Sequence, residues 1–253
     1  MLVAERHQKI VNLVNERESI RVTELSRHFS VTEETIRRDL EKLEKHKKLL
    51  RSHGGAISVN SPQMLEDSYL EREVTNGKEK TQIAMEAINH VKTGDRIILD
   101  ASTTAWYMAK ILPDIEITVL TNSIKVATEL SSKRNITVIS TGGILRPESL
   151  SYVGPLAQSS IEFYHVNKAF ISCKGLHLER GMSEANEQQA YVKKMMIDRA
   201  DTVYVMVDYS KFGMQALTRL NDLTVIDYII TDSNSEEQTL QKLVDKSIEI
   251  IKT

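Results

Sequence analysis

The sequence predicts an α/β protein in two parts: an N-terminal winged helix-turn-helix, then a mainly parallel, doubly wound α/β domain. Three observations carry that expectation. Near the N-terminus, two short amphipathic patterns meet at Ser30-Val31, and a basic run and a glycine-containing hairpin over residues 49–57 follow. From Ile97 onward, short and nearly continuous apolar runs alternate with helical segments, as strands buried on both faces do. Polar clusters close those runs, at the strand ends where open parallel sheets bind ligands.

Ile10, Leu13 and Val14 supply the apolar side of a first helix. Val22–Phe29 reads as a second, capped by Thr23 and burying Leu25 and Phe29. In the third, Thr32 is placed as N-cap, and Glu33 and Glu34 complement the positive end of the helix dipole. Ile36, Leu40 and Leu43 form its apolar stripe. Thr35, Arg37 and Arg38 are rotated off that stripe and offer a hydroxyl and two guanidiniums, groups suited to base edges and phosphates. Taken alone, an amphipathic helix with two arginines is more often an ordinary surface helix. The preceding helix and the tight turn are what make it the second half of a helix-turn-helix. Arg51, His53, Gly54 and Gly55 fall in the hairpin, whose compact tip suits a DNA backbone or minor groove.

Residues 1–57 are therefore the expected DNA-binding domain, residues 58–68 with Pro62 a linker, and residues 69–253 a second domain large enough for its own core. The net charge of -2 averages unlike halves. Residues 1–55 hold 12 Lys/Arg and 9 Asp/Glu, or +3; the remainder holds 21 and 26, or -5. That asymmetry fits a basic reader joined to an acidic sensor. No apolar run approaches the roughly 18 residues of a membrane span, and the N-terminus lacks a signal-peptide pattern. Cys173, the one cysteine, is expected as a small core residue inside a strand. A cytoplasmic location with no membrane partner follows.

The second domain opens with a helix over residues 78–91, and Arg72 and Lys80 lie just beyond the linker, before and within that helix, where they are expected to feel a phosphate held near Thr103 and Thr104. Strands are expected at 97–99, 117–120, 136–139, 169–172, 203–207 and 225–230, with helices at 106–112, 124–130 and 190–199 between them. The strand ends read Asp100-Ala101-Ser102-Thr103-Thr104, Thr121-Asn122-Ser123, Thr141-Gly142-Gly143 and Asp208-Tyr209-Ser210-Lys211. There, hydroxyls and free backbone amides converge on an anion, and Gly142-Gly143 would let the backbone approach it closely. Each cluster alone is an ordinary helix cap; their repetition on successive strands points to a site.

SVTEETIRRDLEKLE followed by LLRSHGGA resembles the DNA-binding domain of DeoR-type bacterial transcriptional regulators. GDRIILDASTT, LTNS, STGG and DYSKFG match the sensor domain of the same family, which is similar in fold to ribose-5-phosphate isomerase and binds phosphorylated sugars. The resemblance covers essentially the whole chain. It implies that Ser102, Thr103, Thr104, Asn122, Ser123, Gly142, Gly143 and Lys211 surround the effector, with Asp100 and Asp208 near it. One departure is visible: Asp100-Ala101-Ser102-Thr103-Thr104 stands where relatives often read Asp-Ser-Gly-Thr-Thr, so the resemblance does not fix the backbone path around the phosphate. Lys174 either faces sugar oxygens or solvent, and Glu184 and Asn186 either read hydroxyls or cap the next helix. Those features look most like regulators of methylpentose (rhamnose-type) catabolism.

The function expected from this is a repressor of a sugar-catabolic operon, released from operator DNA by a phosphorylated sugar. The sensor is expected to carry a homodimer or homotetramer contact. The alternative is a sugar-phosphate isomerase-like enzyme with an accessory DNA-binding domain, since a fold does not fix a function. Nothing in the sequence calls for a cofactor: His46 and His53 are not spaced as a metal pair, and no nucleophile elbow or phosphate loop occurs.

Overall fold

Three helices come first along the chain: α1 (Val3–Arg17), α2 (Val22–Phe29) and α3 (Glu33–Lys45). They bury Ile10, Val14, Leu25, Ile36, Leu40 and Leu43 in one small core, with Leu13 and Phe29 packed at its margin. The structure, a computed structural model, describes residues 3–17, 19–46, 48–52, 55–58 and 68–253. By its internal contacts the chain divides into two units, Met1–Leu65 and Glu66–Thr253.

Two local details of the first unit differ from the sequence expectation. Thr23 does not cap α2; the helix already includes buried Val22, and Arg21 occupies the N-cap position without a side-chain bond. Its C-terminus closes as Ser30 takes the left-handed φ of 54° and Ser26 Oγ donates to the Val31 carbonyl at 2.6 Å. The hairpin strands β2 (Leu50–Ser52) and β3 (Gly55–Ile57) gain an unexpected third partner, β1 (Ser19–Arg21), in the antiparallel order β1-β3-β2. His53, Gly54 and residues 59–67, with Pro62 of the expected linker, lie outside the described residues.

The second unit begins with α4 (Tyr69–Val74), too short to leave a period in the sequence. A capping box starts it: Ser68 Oγ accepts from the Glu71 amide at 3.3 Å, and the Glu71 carboxylate accepts from the Ser68 amide at 3.1 Å. Then come α5 (Gly77–Ile88), β4 (Arg96–Leu99), α6 (Thr103–Ile111), β5 (Ile117–Thr121), α7 (Ile124–Leu130) and β6 (Ile136–Ser140). A hairpin of β7 (Ile144–Arg146) and β8 (Ser151–Val153) precedes α8 (Pro155–Glu162) and β9 (Val166–Ile171). The remainder is β10 (Gly175–His177), β11 (Gly181–Glu184), α9 (Glu187–Asp198), β12 (Ala200–Met206), β13 (Thr218–Asn221), β14 (Tyr228–Thr231), α10 (Glu237–Val244) and β15 (Glu249–Lys252).

Seven strands make one wholly parallel sheet in the order β15-β14-β12-β9-β4-β5-β6. Side chains alternate across it and feed two cores. Ile98, Ala169, Ile171, Val203 and Val205 pack with Ile161 of α8, Val192 and Met196 of α9 and Leu240 of α10. Ile97, Leu99, Phe170, Tyr204 and Met206 pack on the other face with Ile83 of α5, Met108 of α6 and Val126 of α7. This is the doubly wound arrangement expected from the apolar runs. A small antiparallel sheet, β10-β11-β13, is added at one end. The winding reverses between β4 and β9, and that switch point is where such sheets open a crevice.

Candidate functional site

In the first unit, α3 presents the residues expected to read DNA. Thr32 caps it, accepting from the Thr35 amide at 3.3 Å, and the two threonine hydroxyls bond each other at 2.9 Å. Arg37 and Arg38 are exposed and pair one turn back, with Glu33 at 2.6 Å and Glu34 at 3.3 Å. Beneath them Asp39 is buried, accepting from Arg6 Nε at 2.6 Å and bonded to His7 Nε2 at 2.9 Å. Burial pushes the Asp39 carboxyl up, but Arg6 and His7 outweigh it and hold it below the usual carboxylate range. That group ties α1 to α3 and was invisible in the sequence, because its partners lie 32 and 33 residues away.

Arg51 lies in β2, paired with Ala56. Gly55, expected at the hairpin tip, is a buried residue of β3, opposite Arg21 and Ser52. A Cβ there would sit 2.4 Å from the Ile20 carbonyl oxygen. Its glycine is thus required by the β1–β3 approach.

In the second unit, the ends of β4, β9 and β12 surround a cavity of about 330 Å³. Of the expected effector residues it is lined by Ser102, Thr103, Thr104, Lys174, Glu184, Asp208 and Lys211. Ser102 caps α6 through the Ala105 amide at 3.1 Å. The first amides of α6 have no partner within the helix, so its positive end faces the cavity beside the Thr103 and Thr104 hydroxyls. Asp208 accepts from the Ser210 amide at 3.0 Å and from Asn76 Nδ2 at 2.9 Å.

Asp100 lies just under the floor, fully buried. Its carboxylate accepts from the Ser102 amide at 3.0 Å and the Ser172 amide at 2.9 Å, fixing both strand ends. Lys193, from α9, stands 3.1 Å from Asp100, bonds Glu184 and donates to the Ser172 carbonyl at 2.7 Å. Burial alone would lower the Lys193 pKa; Asp100 and Glu184 reverse that and raise it. Sequence reasoning missed this lysine, which reads there as one more polar residue of an amphipathic helix. Also lining the cavity are Glu71, Arg72, Thr75 and Lys80, and Cys173, whose thiol burial pushes up to about 12. Cys173 lies just past β9 instead of inside a strand.

Asn122, Ser123, Gly142, Gly143 and Asn186 do not line this cavity, for a definite reason. The β7–β8 hairpin covers the ends of β5 and β6. Asn122 bonds Tyr152 through both backbone (2.7 Å) and side chain (3.0 Å), and Ser123 bridges Ser151 while capping α7 at 3.2 Å. Gly142 and Gly143 have φ of 62° and 115°, and a Cβ on Gly143 would lie 2.7 Å from the Val153 carbonyl. Asn186 caps α9, accepting from the Gln188 amide at 2.9 Å.

Among the described residues, no helix is long and apolar enough to cross a membrane, and no group of three or more His, Cys, Asp or Glu could hold a metal ion.

Residues 6–62 match the DeoR-like helix-turn-helix domain and residues 75–233 the DeoR C terminal sensor domain. The chain is 60% identical to the uncharacterized HTH-type transcriptional regulator YulB of Bacillus subtilis, over 99% of this chain and 96% of that one. It is 36% identical to the L-fucose operon activator of Haemophilus influenzae, over 95% of this chain and 96% of that one. Among solved structures, ribose 5-phosphate isomerase A of Methanocaldococcus jannaschii matches at 18% identity and a TM-score of 0.42, covering 55% of each chain; nothing functional follows from so partial a likeness. Full-length relatives are named as transcriptional regulators, so the isomerase alternative falls away and the chain is not an enzyme. With a reader and a sensor both matched, the chain belongs to the DeoR family of DNA-binding transcriptional regulators.

Proposed function

We propose that this regulator represses a sugar-catabolic operon, binding operator DNA through α3 and the wing and leaving it when a phosphorylated sugar enters the cavity at the sheet's switch point. The observation that carries the reading is the cavity's charge. Among the described residues, five cationic side chains line it (Arg72, Lys80, Lys174, Lys193 and Lys211) against three carboxylates in the lining (Glu71, Glu184 and Asp208) and a fourth, Asp100, just under the floor. The α6 N-terminus and the Thr103 and Thr104 hydroxyls add to that excess, which suits a phosphate. The carboxylates suit sugar hydroxyls, and about 330 Å³ is within the usual range of small-molecule sites, roughly 300–1,000 Å³.

Repression follows from the proposed release: if the catabolic intermediate takes the regulator off its operator and the operon is then transcribed, the bound form is the one that blocks it. The resemblance at Lys174, Glu184 and Asn186 is what supports methylpentose phosphates as the effector class; Lys174 and Glu184 line the cavity, while Asn186 caps α9 outside it. One winged helix spans a short site, so the working form is a homodimer or homotetramer on paired half-sites, joined through the sensor, in the cytoplasm where the operator is.

Titration calorimetry of L-rhamnulose 1-phosphate, L-fuculose 1-phosphate and the unphosphorylated sugars tests the effector. Binding of a phosphorylated sugar alone, weakened in Thr104→Val, is expected. Equal binding of the free sugars, or no binding at all, would sink the reading. A reporter behind the chain's own upstream region reads the sign: induction by the sugar is expected, and transcription lost on deleting the regulator would make it an activator.

A further inference from the structure

Lys80 stands apart from the other buried lysine of the cavity. The charge of Lys193 is met by two carboxylates, Asp100 and Glu184. Lys80, only 5% exposed, donates to two neutral oxygens, the backbone carbonyls of Arg72 and Thr75. Those carbonyls belong to the last turn of α4 and its C-cap, where a helix has no acceptor-satisfying amides of its own. Lys80 is therefore a C-terminal cap supplied from the next helix. Burial with neutral partners lowers its pKa to about 8; Asp208 and Glu79 oppose the shift, and Lys211 and Arg72 add to it. An under-compensated ammonium on a cavity wall has much to gain from an anion.

Besides Lys80, the C-terminal end of α4 is held through Glu73, whose carbonyl accepts from the Tyr107 hydroxyl at 3.1 Å and whose carboxylate pairs with Lys125 at 3.2 Å, and through the Thr75 hydroxyl, which donates to the Glu71 carbonyl at 2.8 Å. α4 has six residues, well short of holding itself in water. Its N-terminus is secured by the Ser68–Glu71 box and by buried Tyr69, over whose ring Lys125 lies at 5.5 Å. Its C-terminal half presents Val74 to solvent at 78% exposure. The elbow to α5 turns on Asn76, held at a left-handed φ of 53°. The Asn76 side chain bonds the cavity residue Asp208 at 2.9 Å. Both the cap and the elbow thus end on groups that line the cavity.

We propose that Lys80 is a ligand-operated latch, holding the C-terminal end of α4 through the Arg72 and Thr75 carbonyls and giving up that hold to a bound phosphate. An ammonium has three donors, and two are committed to carbonyls; a phosphate taking two oxygens' worth of contact must displace at least one. The phosphate wins because it brings a full opposite charge to a buried ammonium whose present partners are neutral dipoles, adding an ion-pair attraction that carbonyls cannot supply. α4 then loses the Lys80 hold on the Arg72 and Thr75 carbonyls and keeps the contacts of Glu73 and of the Thr75 hydroxyl. α4 directly follows residues 58–68 in the sequence, so the end released by the ligand lies one short helix away from the linker. The latch rests on the phosphate reading of the cavity and adds to it the step by which occupancy is reported.

Hydrogen exchange by mass spectrometry on the full-length protein, with inorganic phosphate and with L-rhamnulose 1-phosphate, tests it. Ligand is expected to speed exchange at amides 72–75 by on the order of tenfold while amides 83–88 and strand β9 keep their protection. Lys80→Met should exchange fast at 72–75 with or without ligand and bind the sugar phosphate about tenfold more weakly; Lys80→Arg, which keeps the charge, should restore the ligand response. Protection of β9 checks that each variant is folded, and if Lys80→Met is not, the wild-type and Lys80→Arg comparison still decides. Calorimetric binding to the wild type with unchanged or slower exchange at 72–75 overturns the latch and leaves the site standing. No binding of either probe overturns both.

Discussion

Charged side chains in the reader and in the sensor are used in opposite ways. On α3, Arg37 and Arg38 pair with Glu33 and Glu34 in full view of water, their side chains 52% and 73% exposed. Exposed pairs of this kind contribute about 0–1 kcal/mol, so exchanging a carboxylate for a DNA phosphate costs little. In the sensor, Lys193, Asp100 and Glu184 are 8%, 0% and 11% exposed and hold one another in place. A buried charge that loses its partner is left unsolvated. The reader's arginines are thus poised to change partners, and the sensor's triad keeps the cavity's shape. Lys80 falls between: it is buried like the triad, but its partners are neutral and replaceable.

The largest effect that sharpens this contrast is at the triad. Lys193→Met leaves Asp100 and Glu184 buried without a counter-charge and should destabilise the protein by about 3–5 kcal/mol. Denaturant unfolding measures it, and a loss below about 1 kcal/mol would mean the sensor pair is as soft as a surface one. Next comes Gly55→Val. With a Cβ 2.4 Å from the Ile20 carbonyl, β1 and β3 must part, at a cost of about 1–3 kcal/mol. Operator affinity should fall while sugar-phosphate affinity stays; equal losses in both assays would mean the damage spreads beyond the reader.

On stability, the smallest effect is expected at the reader's arginines. Arg37→Ala and Arg38→Ala should leave unfolding nearly unchanged, yet at least one should weaken operator binding by about 1–3 kcal/mol. If neither changes DNA affinity while the fold is intact, α3 does not dock through this face.

These contrasts also mark what the sequence disclosed. The reader was legible because its logic is local: the cap at Thr32, the stripe Ile36-Leu40-Leu43 and the turn at Ser30 each sit within a few residues. The parallel sheet was legible from its apolar runs. The helix α4, the β7–β8 hairpin and the β10-β11-β13 sheet were not, being too short to show a period. Of the site, Thr103, Thr104 and Asp208 follow from their places at strand ends. Asn122 and Gly143 sit at equivalent strand ends but are covered by a hairpin that local pattern does not reveal. Lys193 escaped for the converse reason: it lies on a helix and takes its meaning from partners that only the fold brings near. Lys80 was legible as a charge close to the phosphate, but its bonds to the Arg72 and Thr75 carbonyls were not.

The account turns on soft reader and firm sensor being coupled, and coupling has a reciprocal signature. Calorimetry of L-rhamnulose 1-phosphate against the free protein and against the protein saturated with DNA from its own upstream region measures it directly. The effector should bind the DNA complex about 5–150-fold more weakly, a coupling of about 1–3 kcal/mol, and operator affinity should fall by the same factor when the effector saturates. Identical effector affinities in the two titrations would contradict the account.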